Sequence, residues 1–140
     1  EHAYRGLERL YRDKARWHDL AELYTRRLEA ATPNEQVEVH YKLGRLYLEE
    51  LGNGHDALEE FRLVLGIGAT HEPTIALLES LMANEELRPT AAELLEPVYL
   101  VRMDWPKVTA ALDARLANEH EPQQRRELFL RLARLHEEYL

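Results

Sequence analysis

The stretch 35–65, EQVEVHYKLGRLYLEELGNGHDALEEFRLVL, reads as two amphipathic helices joined by a tight turn that contains glycine. In its first half Leu43, Gly44, Tyr47 and Leu51 recur at three- and four-residue spacing, and after the turn Ala57, Leu58, Phe61, Val64 and Leu65 do the same. Each helix therefore has one apolar side. The two sides are predicted to close on each other as a helical hairpin.

Working outward, the chain repeats this unit. Residues 1–14 place Ala3, Leu7, Leu10 and Tyr11 on one face, and their Leu-Glu-Arg-Leu-Tyr echoes Leu-Gly-Arg-Leu-Tyr thirty-six residues later. Residues 16–30 follow with Trp17, Leu20, Leu23, Tyr24 and Leu28 as apolar positions. Thr32-Pro-Asn-Glu35 has the form of a capping box with proline at the first helical position, which ends one helix and starts the next. After Leu65, GIGATHEP ends a helix and opens a fifth at about Glu72. Pro89 with Thr90-x-x-Glu93 reads as the start of a sixth, inside which Pro97 removes a backbone hydrogen bond and predicts a kink. Asp104-Trp105-Pro106 and Glu121-Pro122 open a seventh and an eighth.

A second register runs through the same residues. Ala3, Leu7, Tyr11, Trp17 and Leu28 reappear as Ala91, Leu95, Tyr99, Trp105 and Leu116 eighty-eight residues on, and KLGRLYLEEL returns as RLARLHEEYL at eighty-nine. Strict alternation along a short-looped chain favours the thirty-six-residue register. It divides the chain into four hairpins at about 1–31, 32–69, 70–103 and 104–140.

The Leu43-Gly44-x-x-Tyr47 run followed by Ala57-x-x-x-Phe61 resembles the tetratricopeptide repeat, a pattern that needs a small residue where the helices cross and large ones on either side. His40 stands where that pattern has tryptophan, the turn is one residue longer, and the closing proline, Pro73, comes late. The resemblance implies an all-α, right-handed solenoid of about eight antiparallel helices in four hairpins. It also implies a concave groove, lined by the first helix of each hairpin, that binds a peptide or helix of another protein.

Composition narrows the function classes. The chain has 140 residues, a formal net charge of −8 and no cysteine. Disulfides, thiolate catalysis and cysteine zinc sites are thereby excluded. The negative balance argues against nucleic acid, which needs a broad cationic surface. No apolar run approaches a membrane span, and no basic-then-apolar leader precedes the first helix. A cytoplasmic location without membrane insertion is expected. Because the chain opens at Glu1 and stops at Leu140 inside helical pattern, it is read as part of a longer protein of bacterial type.

Chemistry finds little to work with. None of the seven histidines forms an i, i+4 pair, and Ser80 is the only serine. No Gly-rich loop accompanies the carboxylates. No catalytic, metal or cofactor site is expected, and the chain is read as a non-catalytic interaction scaffold. Two alternatives stay open: a regulatory or recruiting arm of an enzyme outside this segment, and a self-assembling repeat array.

The candidate partner-binding residues lie opposite the buried stripes. Tyr41, Arg45 and Leu48 share a narrow arc of the third helix, and the same arc one repeat earlier carries Arg5, Arg9 and Arg12. The partner this implies is acidic at one end and apolar beyond it. Packing of Tyr41 and Leu48 against the neighbouring hairpin explains that arc equally well.

Overall fold

The computed structural model describes residues 2–140. They form eight helices and, among the described residues, no strand: α1 (His2–Asp13), α2 (Trp17–Ala30), α3 (Pro33–Glu49), α4 (Gly54–Ile67), α5 (Glu72–Leu81), α6 (Arg88–Val101), α7 (Trp105–Ala117) and α8 (Pro122–Tyr139). The chain divides into two compact units, residues 1–74 and 75–140. The division falls inside α5.

In the first unit α1 packs on α2, α2 on α3, and α3 most extensively on α4. Leu20 and Tyr24 of α2 and Val39, Leu43 and Leu46 of α3 form a buried cluster, with Tyr4, Tyr11, Trp17 and Tyr47 packed around it. Ala57, Leu58, Phe61 and Val64 bury the inner side of α4. The Thr32 box forms as its sequence predicts: the Thr32 hydroxyl accepts from the Glu35 amide and the Glu35 carboxylate accepts from the Thr32 amide. The expected buried face of α1 does not form. No α1 residue is buried, and Leu7 and Leu10 remain 39% and 43% exposed, because within this unit α1 has helices on one side only.

In the second unit α6 packs on α7 and α7 on α8, around Leu95, Val98, Tyr99, Val108, Leu112 and Leu132. α6 runs through Pro97 as one helix. The Thr90 box does not cap it. Asn84 instead accepts from the amides of Glu86 and Leu87, so the helix is already under way at Arg88. Asp104 caps α7 by accepting from the Lys107 amide.

Three of the turns share one design. Ala15, Gly52 and Met103 take positive φ (54°, 62° and 55°). Each is followed by a helix-entry residue with ψ between 71° and 79°: Arg16, Asn53 and Asp104. The amides of those three residues donate to the carbonyls of Tyr11, Tyr47 and Tyr99 at 2.8, 2.8 and 3.0 Å. The α3–α4 turn is one residue longer than the other two, as its sequence shows. Residue for residue, the α6–α7 turn is the α1–α2 turn eighty-eight positions on, and it encloses the boundary expected at 103–104. α8 then stands eighty-nine positions after α3, beginning at Pro122 as α3 begins at Pro33.

Candidate functional site

α1 and α3 lie side by side in the first unit and enclose an open cavity of about 510 Å³ lined by Tyr4, Arg5, Glu8, Arg9, Arg12 and Lys42. Arg12 and Lys42 also line an adjoining cavity of about 290 Å³ with Glu38, Tyr41, Arg45 and Glu49. The helix period explains the grouping. Arg5, Arg9 and Arg12 recur at turn spacing, so one side of α1 presents all three toward the strip of α3 that carries Lys42. Of the six residues singled out in the sequence, five line these two cavities. Leu48, half-buried, lines neither.

The centre of the larger cavity is Glu8. The Tyr24 hydroxyl donates to Glu8 Oε2 at 2.6 Å, and Lys42 Nζ donates to the same oxygen at 3.1 Å. Arg12 Nη2 donates to the Tyr24 hydroxyl at 2.9 Å. Burial alone would raise the Glu8 pKa, but the hydrogen bonds from Tyr24 and Lys42 favour the anion more, and Glu8 sits below the usual carboxylate value. Burial and the Glu8 carboxylate together push the Tyr24 phenol well above its ordinary range. Both groups therefore hold their neutral-pH forms, anion and phenol.

The three arginines are not equivalent. Arg12 is committed to Tyr24, whereas Arg9 makes no hydrogen bond or ion pair among the described residues. Four cations surround one carboxylate, which leaves the lining of the larger cavity at a formal +3. On α3, Tyr41 is half-buried, with its ring 6.3 Å from Phe61 and 5.1 Å from His71. Arg45 lies 5.8 Å over that ring and forms two hydrogen bonds to Glu49, at 2.8 and 3.3 Å. Tyr41 thus serves the packing of its own unit and the cavity wall together.

Glu8, Tyr24 and Lys42 escape the arc argument, because it follows one helix at a time. The second register carries the missing signal. Eighty-eight positions after Glu8 stands Glu96, and eighty-nine after Lys42 stands Arg131. In the second unit Glu96, 4% exposed, pairs with Arg131 and with Arg115, the latter at 2.5 Å. The same carboxylate-to-cation bridge joins α1 to α3 and α6 to α8.

The described residues contain no group of three or more side chains able to hold a metal ion, and no helix long and apolar enough to cross a membrane. No protein-family model, curated protein or solved structure matches the chain.

Proposed function

We propose that this chain is a segment of a tetratricopeptide-like, right-handed α-solenoid and acts as a non-catalytic interaction scaffold. The α1–α3 groove takes a peptide or helix from another protein, acidic where it meets Arg5, Arg9 and Arg12 and apolar where it reaches Tyr41. The observation that carries this reading is the excess of cations around Glu8: the inner carboxylate is already satisfied by Tyr24 and Lys42, so Arg9 remains to receive an incoming carboxylate. Arginine suits that task because its planar fork can hold a carboxylate through two parallel hydrogen bonds. A single exposed ion pair contributes only about 0–1 kcal/mol, so the three arginines must act together. Gly44 under the Phe61 ring and the recurring tyrosine-carbonyl turn support the repeat reading.

The test is a selection of displayed random peptides on the full chain. Enriched peptides should carry clustered Asp or Glu followed by apolar residues. They should lose binding when Arg5, Arg9 and Arg12 are all replaced by Glu, with the helical circular-dichroism signal unchanged. Peptides that bind the triple variant as well as the parent chain would remove the groove from consideration.

A further inference from the structure

The positive charge of the α1–α3 groove is concentrated at one place. Along α1 the larger cavity is flanked by two others, one sharing Arg5 with it and one sharing Arg12. The first, of about 440 Å³, sets Arg5, Arg27 and Lys42 against Glu35 and Glu38, a formal +1. The second sets Arg12, Lys42 and Arg45 against Glu38, Glu49 and Glu50, a formal balance of zero. The +3 of the larger cavity therefore falls away in both directions. A long acidic run does not fit that profile, because its outer carboxylates would meet Glu35 and Glu38 at one end and Glu49 and Glu50 at the other. The profile calls for one compact, multiply charged group.

The donors are arranged to match. Arg12 donates to Tyr24, Tyr24 to Glu8, and Lys42 to the same Glu8 oxygen, so three hydrogen bonds tie a cation of α1 to a cation of α3. Tyr24 is fully buried, which anchors the chain of bonds. Arg12 and Lys42 each spend one N–H on it and keep others, and Arg9, between Arg5 and Arg12 on α1, spends none among the described residues. A planar carboxylate offers two oxygens to one guanidinium fork. A phosphate monoester carries about −2 in a single group and turns three oxygens in different directions, enough to meet donors on both helices. We propose that the groove recognises a phosphorylated serine or threonine of its partner, with the phosphate held by Arg9 and Arg12 of α1 and Lys42 of α3. This rests on the reading of the groove as a peptide site. A peptide is the favoured carrier because the flanking cavities offer Val39 on one side and Tyr41 on the other to its neighbouring residues, whereas the net charge of −8 opposes nucleic acid and anionic lipid surfaces.

The probes are degenerate peptide libraries, alike except for a fixed central phosphoserine, serine or glutamate, passed over the immobilised full chain. The phosphoserine library should be retained about tenfold or more over the other two, and Arg9→Ala should remove that advantage by taking away the charge-assisted hydrogen bonds of one guanidinium. Equal retention of the phosphoserine and glutamate libraries, or a phosphoserine advantage that survives Arg9→Ala, would overturn the phosphate site. If both libraries are retained equally but are lost from the Arg5, Arg9 and Arg12 triple variant, the groove is a site for acidic peptides only. Retention unchanged in the triple variant removes the groove as well. Vesicles of phosphatidylcholine and phosphatidic acid that bind through Arg9 while the phosphoserine library does not would also overturn the proposal, assigning the cations to a lipid headgroup.

Discussion

Gly44 leaves bare the spot that the Phe61 ring occupies: a Cβ on residue 44 would stand 2.5 Å from Phe61 Cε1 and 2.9 Å from Cδ1. Phe61 is fully buried and has nowhere to retreat. Gly44→Leu should therefore lower stability by about 1–3 kcal/mol, the usual cost of overpacking. Urea denaturation read by circular dichroism checks this. A variant as stable as the parent would mean that α3 and α4 do not cross at Gly44.

The shared turn makes a prediction of opposite sign. Ala15 and Met103 hold positive φ with a side chain in the way, whereas Gly52 holds it freely. A side chain in the left-handed region costs about 1–2 kcal/mol, partly offset by the greater freedom glycine has in the unfolded chain. Ala15→Gly and Met103→Gly should each stabilise by about 0.5–1 kcal/mol, and Gly52→Ala should destabilise by a similar amount. Thermal melts of the three variants decide it, and a loss of stability in both glycine variants would contradict the turn geometry.

Stability should also depend on pH at both ends of the scale. Glu8 lies below its ordinary pKa, so its contribution is complete above the normal carboxylate range and disappears as acid protonates it. Tyr24 and Tyr99 lie above theirs, raised by burial and by the carboxylates of Glu8 and Glu79. For a raised group the sign reverses: the contribution is complete below the ordinary tyrosine value of about 10 and is lost as pH climbs past it. Melting temperature against pH should fall on both limbs. Tyr24→Phe should flatten the alkaline limb and Glu8→Gln the acid one.

The two inter-helix carboxylates should differ in cost. The Glu96 side chain is 5% exposed and holds two arginines, whereas the Glu8 side chain is 16% exposed and holds a lysine and a phenol. Glu96→Gln leaves two guanidinium groups short of an anion in a drier setting. It should cost about 3 kcal/mol, the lower end of the range for broken buried pairs, because Arg131 is partly solvated. Glu8→Gln should cost less in the same urea titration. Equal losses would show that burial is not what sets the cost.

How far the sequence carries this structure depends on whether the information is local. The Thr32 and Asp104 caps act within one turn, and both form as their residues indicate. Thr90 offers the same pattern, but Asn84 satisfies amides further upstream and the helix starts before the box. The apolar spacing of Leu7 and Leu10 shows that α1 is amphipathic, but it cannot show that nothing covers them in their unit. Arg5, Arg9 and Arg12 are legible as one helix face. Glu8 becomes legible only when its partner Lys42, on another helix, is read through the pair Glu96 and Arg131.

That repeated bridge also governs how the sequence can change over generations. Lys42 in one unit and Arg131 in the other show that either cation serves, since each needs only to place a charge beside the carboxylate. Losing the cation alone strands the carboxylate, 16% exposed for Glu8 and 5% for Glu96, in a poorly hydrated site, a costlier state than either the intact pair or an apolar replacement of both. Single substitutions at Lys42 or Arg131 therefore lead downhill in fitness even where the double change is neutral. Descendants of this chain should keep or exchange each pair as a unit, while Arg9, exposed on the groove wall and outside both bridges, can change with whatever partner it meets.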